Sequence, residues 1–549
     1  MTKLNKIKHP SQKTIGIPLS KRSLLWISLL FLSFSFGCKK YFFRANYSKA
    51  NKVLHDTKNL KEKPFLKAHL KNGDVCILHD SWKIDTIANL LSGNGTRYDY
   101  QRSTAVDNNF SLPFDSILLF ETNISIKGAE AGRLATLGVL AGFDVALGVF
   151  CISNPKSCFG SCPTFYLKPE DNFHFADAEG FSNAVAPSLA YGDIDALNNP
   201  RLNDSVFTLT MRNEALETHC IKDLKVLAVK RAEGERVYQS KDNQFYRCKN
   251  TYPISRATGA EGDVTSLLKD HDRVERFSKA NSRNLKSKEE IILEFENIQQ
   301  PENPGLVISF RQTLMTTYFV YSAIAYMGEE VTDYMAKMEK DKNIESKLIH
   351  GLKGELGDLD VYVWDETNSV WQQQGGIYET GPIAVNRQIL PLQTAGKSSK
   401  LKVKLAMNKG LWRVDGITLT NILENVKPTE LSPNLVLRKG KEDRNALLKI
   451  QSKDEHLVSM PGNEFTFTFN IPEAGQDYEM FLYSKGYYLE WMRTSWLKDK
   501  NKWKLYTMFQ HPTRYLKSEA GNYAKYEKTM EQEFWNSRID TKTFTHYEN

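Results

Sequence analysis

The sequence lacks the short motifs that mark the commonest enzymes. Across its 549 residues no GxSxG, Walker A, HExxH or GxGxxG run stands where its context would support it. Those absences argue against nucleophile-elbow hydrolases, P-loop nucleotide enzymes, zinc proteases of the HExxH type and dinucleotide-binding folds. Glycosidases stay open, because their carboxylates come from distant positions. No internal repeat is evident. Acidic residues are missing from the first 37 positions, which hold Lys3, Lys6, Lys8, Lys13, Lys21 and Arg22. Beyond them, 67 basic residues face 65 acidic ones, so the formal net charge of +8 falls to +2. A nucleic-acid protein needs its positive charge on the folded surface, where it displaces counterions from phosphates. That function loses its support. What is present is apolar and aromatic. Hydrophobic residues make up 41% and aromatics 11%, enough for several cores in a chain whose length suggests roughly three or four domains.

The leader is the clearest address. A basic, polar stretch precedes Leu24 to Phe36 (LLWISLLFLSFSF), an uncharged run that ends at Gly37 and Cys38. This is the order of a secretory signal. As a helix the run rises about 20 Å, short of the ~30 Å of a hydrocarbon core, so cleavage fits better than a permanent span. A cysteine directly after a small residue resembles a bacterial lipobox, whose cysteine is acylated and becomes the new N-terminus. Ser35 stands where that motif favours Leu, and Phe36 is bulkier than usual. Cleavage without lipidation and an uncleaved anchor are the other readings. The expectation is a signal peptide over 1–37, lipidation at Cys38, and a lysine-rich tether over 38–63. The address is then the cell envelope, lipid-anchored at the outer membrane or on the periplasmic side of a bacterial membrane. Cys76, Cys151, Cys158, Cys162, Cys220 and Cys248 remain, an even number in an oxidising compartment, which makes them disulfide candidates with 15 connectivities.

Patterning divides the rest. Residues 64–125 read as a small β-domain, with Asn72-Gly73 as a hairpin signal between two apolar runs. Leu134 to Ile152, within a unit at 126–153, is apolar and Gly-rich. Asp144 near its middle favours a helix shielded by protein over one in lipid. A Cys-containing β-rich module follows at 154–278, then a polar linker at 279–290. The unit at 291–429 combines a helix over Phe310 to Lys340, striped by Tyr318, Tyr321, Ile324, Met327, Val331 and Met335, with alternating strands that suggest a β-sandwich. The last unit, 430–549, begins with strands such as Phe465-Thr-Phe-Thr-Phe469 and ends in a helix striped by Tyr523, Tyr526, Met530 and Phe534. The predicted class is mainly β and multi-domain, with an apolar helix, a mid-chain helix and a C-terminal helix.

Three short motifs lie in the first half: Ser161-Cys-Pro-x-x-Tyr166, Asp177-Ala-Glu-Gly180, and Asn213-Glu-x-x-Glu-Thr218 before a β-run. Together they resemble a module in envelope lipoproteins of Bacteroidetes-type bacteria, a family without an assigned activity. The resemblance spans about residues 64–270. It implies an envelope address and a β-rich module, and it carries no catalytic residue to transfer.

Candidate chemistry is sparse. Asp177 and Glu179, two apart, would present both carboxylates on one side of a strand. Such pairs serve acid–base hydrolysis of glycosides when one pKa is raised, and they are also common at solvated turns. Asp358 and Asp360 would share a strand face, with Asp365 following; hard oxygen ligands suit Ca²⁺, but the EF-hand pattern is absent. Cys151, Cys158 and Cys162 with His174 have poor spacing for zinc, and Asp270-His271-Asp272 is ambiguous. No metal is expected, and Ca²⁺ is the one cofactor left open. Asn213, Glu214 and Glu217 suit capping and turn roles. The functional expectation is a non-enzymatic module that binds a protein or glycan of the envelope, or scaffolds an assembly. The alternative is a surface hydrolase acting on glycans or peptides through Asp177 or Glu179.

Overall fold

A computed structural model describes residues 43–45, 66–122, 162–334 and 351–531, with short breaks inside those ranges. Cys38, Cys151, Cys158, the leader, most of the tether and the segment at 126–153 lie outside the described residues. The fold is mainly β, several sheets with a few helices packed on them. Among the described residues no helix is long and apolar enough to cross a membrane.

The first sheet is antiparallel and holds Leu66–Leu70, Val75–Leu78, Leu90–Tyr98, Ala105–Pro113 and Ile117–Thr122. Leu66 pairs with Leu78 and His69 with Val75, so the two strands that flank Asn72-Gly73 form an antiparallel hairpin. One face packs Leu66, Ala68, Leu78, Trp82 and Phe120 into a core of its own.

Next comes an outer sandwich of two sheets. In one, Val206–Arg212 lies between Glu464–Asn470 and Thr164–Leu167, with His174–Glu179 at the edge. In the other, Glu217–Lys230 lies between Tyr478–Glu490 and Thr429–Leu431, and Tyr191–Ala196 adds beyond Tyr478–Glu490. Alternation sets which face is buried, because successive side chains point to opposite sides. Phe465, Phe467 and Phe469 are buried while the threonines between them are not, and the rings meet Leu224, Val226 and Leu482 from the facing sheet. Each such ring contributes about 1.5–3 kcal/mol of burial.

Between Lys230 and Thr429 the chain leaves this sandwich and builds a second unit. There Pro304–Gln312 lies between Asn386–Pro391 and Trp412–Val426, and the sheet closes on itself where Phe245–Pro253 pairs with both Trp412–Val426 and Glu235–Gln239. A second sheet, centred on Leu401–Asn408 between Lys288–Phe295 and Leu359–Asp365, packs across it with Val370–Ile377 at its edge. Ile291, Leu293, Val361, Val403 and Leu405 meet Leu306, Ile308, Phe310 and Val414 in the core. The helices Met315–Met327, Lys502–Gln510 and Pro512–Tyr526 join it through Met315, Leu505, Tyr515 and Tyr523.

Several boundaries differ from the sequence reading. Strands from 154–278 and 430–549, expected in separate units, pair along their length, from Glu217 opposite Glu490 to Lys230 opposite Tyr478. The unit between them is therefore an insertion. Phe310 belongs to a strand, not a helix. Its strand is buried at every position and paired on both sides, so its side chains show no alternation of apolar and polar that would mark a strand. The helix begins at Met315 and stops where Gly328 takes a φ of 54°. Residues 279–290 are not a linker: Leu285 is fully buried, its N–H donates to Leu516 O, and a strand starts at Lys288.

Candidate functional site

The three motifs of the first half converge on one buried polar centre. Thr164 and Tyr166, on one strand, both donate through their hydroxyls to Glu214 Oε2, at 2.8 and 2.7 Å. Cys162 Sγ, just before that strand, donates to Glu179 Oε2 at 3.0 Å. Asn213 Nδ2 donates to the carbonyls of Glu217 and Ser459. Buried polar groups of this kind are tolerable only because they satisfy one another. The turn role expected for Asn213 is present, whereas Glu214 and Glu217 are interior acceptors rather than surface caps.

Glu179 ties the two units together. It ends an outer-sandwich strand, yet its Oε1 accepts from the backbone N–H groups of Ile383 (2.8 Å) and Ala384 (3.2 Å) in the inserted unit. Its own N–H donates to Asp195 Oδ2. Asp193, Asp195, Glu217 and Glu490 are buried as well. His219 Nε2 lies 2.7 Å from Glu217 Oε1, and the Tyr321 hydroxyl, from the Met315–Met327 helix, donates to Glu490 Oε1. Burial pushes Glu179 up to about 7, opposed by the Cys162 thiol, the two N–H groups and Arg311. Burial, and then the charge of Glu179, push Asp193 upward too. Cys162 rises for the same two causes. A carboxyl held near neutrality is what an acid–base catalyst needs, but Glu179 is fully buried and closed over by the 381–384 segment. In this conformation the centre is an interior joint. Asp177 lies on the same strand, and its side chain is outside the described residues.

The other candidates fall into separate places. Asp358 and Asp360 both border Gly376, but Asp360 Oδ2 pairs with Lys288 Nζ at 3.2 Å and Lys353 opposes the upward push of burial on Asp358. Asp365 closes its own turn, accepting from the N–H groups of Thr367 and Asn368. His271 Nδ1 meets Ser309 Oγ at 2.8 Å, and burial, with Arg387 and Arg236 nearby, lowers it to about 4. Among the described residues no group of three or more His, Cys, Asp or Glu is placed to hold a metal ion. Cys76, Cys162, Cys220 and Cys248 are buried and distributed over four different hydrophobic clusters, so the disulfides anticipated for them do not form among these four.

One surface was not singled out by sequence. On Leu359–Asp365 the odd positions face the core, so Tyr362 and Trp364 turn outward and remain half-buried. Trp371 lies directly opposite Trp364, with ring centroids 5.3 Å apart at 62°. Lys404, opposite Tyr362 on the other side, places Nζ 4.7 Å from the Tyr362 ring and 5.2 Å from Trp371, and bonds Glu290 Oε1. Gln373 flanks Tyr362 and is exposed. The legible signal was a Tyr-x-Trp occupying the outward phase of an alternating strand, where polar residues are usual.

No family model and no curated protein matches the chain. Among solved structures it is similar at 8% identity to the crystal structure of wild-type BuGH86 in complex with neoagarooctaose, over 43% of this chain and 34% of that one, with a TM-score of 0.16. It spans about a third of the length of that structure. The secreted serine protease VesC from Vibrio cholerae matches at 8% identity over 67% of this chain and 97% of that one, with a TM-score of 0.12. Scores this low assign neither fold nor function.

Proposed function

We propose that this chain is a lipid-anchored envelope protein that binds a glycan on the open sheet face formed by Tyr362, Trp364 and Trp371. The leader ending in Gly37-Cys38 supports the address. The observation that carries the binding reading is the cross-strand Trp364–Trp371 pair, left half-exposed on a rigid sheet while the opposite face of the same strands fills a core. Aromatic rings on such a face offer flat apolar area to the C–H face of a sugar ring. Gln373 and Lys404 stand beside them to hydrogen-bond its hydroxyls. Rings held on strands lose little entropy on binding, which is why aromatic residues dominate contact energies at interfaces. The closed carboxylate centre holds the two units together rather than acting on the ligand.

The test is a glycan array probed with residues 39–549, followed by calorimetry on the best ligand. Trp364→Ala and Trp371→Ala are expected to weaken binding at least tenfold with unchanged circular dichroism. Unaltered binding in both variants would reject this face.

A further inference from the structure

We infer a second ligand site, at the turn between the two C-terminal helices, that binds an acidic glycan: a sugar chain carrying carboxylate or sulfate groups. It rests on its own observations and takes only the extracytoplasmic address from the reading above.

The Lys502–Gln510 helix starts at Asn501, whose side chain accepts from Lys504 N, and it buries Leu505 and Met508. That choice of inner face forces Trp503 and Tyr506, one turn apart, outward. They are 64% and 49% exposed, among the most exposed large apolar side chains described. Their rings stack with centroids 5.6 Å apart and planes 22° from parallel. Tyr506 also meets the edge of His511 at 5.6 Å. His511 then forms part of the wall of a cavity of about 510 Å³, together with Gln510, Thr513, Arg514, Lys517 and Glu355. The aromatic pair and the cavity are thus one continuous surface joined at His511.

The charge of the cavity is unbalanced. Glu355 is already engaged by Lys286. Arg514 and Lys517 are exposed and have no carboxylate partner among the described residues. The Thr513 hydroxyl is spent on Glu355, and the donors left in the lining are a guanidinium, an ammonium and an amide. A cavity with that balance suits a ligand rich in acceptors. Arg supplies a planar fork for a carboxylate or sulfate, and Lys a point charge. The stacked rings beside it suit a flat, partly apolar ring. An acidic sugar chain has both features, with a pyranose face for Trp503 and Tyr506 and its anionic substituent for Arg514 and Lys517. A single nucleic-acid strand also combines rings with anions, but the net charge outside the leader is close to balance, and the test separates the two.

Calorimetry on residues 39–549 would compare a uronic-acid hexamer, a sulfated hexamer and a neutral hexamer of the same linkage length, with a thymidine oligonucleotide as the rival. One or both acidic hexamers are expected to bind at least tenfold tighter than the neutral one, and which of them does so identifies the anionic group. The affinity should fall as salt rises. Trp503→Ala and the double variant Arg514→Gln/Lys517→Gln should each lose at least tenfold, and Trp503→Phe should recover part of the loss. Trp364→Ala should leave this binding intact, so failure of one site is separable from failure of the other. Equal binding of neutral and acidic hexamers, an unaffected Arg514→Gln/Lys517→Gln variant, or tighter binding of the oligonucleotide would each overturn the assignment.

Discussion

Gly381 and Glu179 fit together only because residue 381 has no side chain: a Cβ there would stand 2.1 Å from Glu179 Oε1. The backbone of Gly381 also has a φ of 114°, a region that side chains disfavour. The segment that follows turns its Ile383 and Ala384 N–H groups onto the same carboxylate. Gly381→Ala should therefore both strain the backbone and displace Glu179. We expect a loss of about 1–3 kcal/mol, read as a lower urea midpoint. A variant as stable as the parent would show that the joint between the two units contributes little.

Stability should depend on pH through the same carboxyl. Folded Glu179 titrates at about 7, above its ordinary 4.5, and Asp193 is shifted in the same direction. The folded state therefore holds protons that the unfolded chain releases, and stability falls as pH rises wherever that difference exists. Their contribution is complete below the ordinary carboxylate range and is lost as pH climbs through about 7. Urea midpoints should drop between about pH 5 and about pH 8, and Glu179→Gln should flatten part of the drop. A midpoint that rises over this range, or an unchanged slope in Glu179→Gln, would contradict the assignment.

Thiol accessibility gives a third check. Cys76, Cys162, Cys220 and Cys248 are buried, and burial pushes the Cys76 and Cys248 thiols up to about 12. A thiol without thiolate character and without access is inert. Maleimide should leave all four unmodified in native protein and label them after denaturation without reductant, as mapped by mass spectrometry. Rapid native labelling of any of them would mean that its cluster opens.

The insertion predicts that the expected module at 154–278 does not fold alone. The strand Glu217–Lys230 would lose its partner Tyr478–Glu490, and Val206–Arg212 would lose Glu464–Asn470. That fragment should show no cooperative thermal transition. Joining 162–230 to 429–491 through a short linker should restore one, followed by circular dichroism. A cooperative transition in the 154–278 fragment would refute the shared sheets.

What could be read in advance follows the range of the forces involved. Alternation in Phe465-Thr-Phe-Thr-Phe469 is local, so the buried face of that strand was plain from residue types. The Asn72-Gly73 hairpin is equally local. The partner of Glu217–Lys230 lies beyond the insertion, and nothing in either segment states which distant strand it will meet. In the sequence Glu179 stands out only through its neighbour at position 177. Its burial arises from a loop some 200 residues away, and isolated acids are normally exposed. Trp371 gains its meaning only from the cross-strand register that places it on Trp364.

The insertion also sets a schedule for synthesis. Glu217–Lys230 emerges from the ribosome well before Tyr478–Glu490 is made. Roughly 250 residues separate them, a wait of roughly 10–50 s at about 5–20 residues per second. In that interval a strand of the outer sandwich, with one face meant for a core, waits with its edge unpaired. Exposed edges of this kind template association with other chains. The chain thus carries a built-in period of vulnerability during its production, one that ends only when the segment beyond residue 478 arrives to close the sheet.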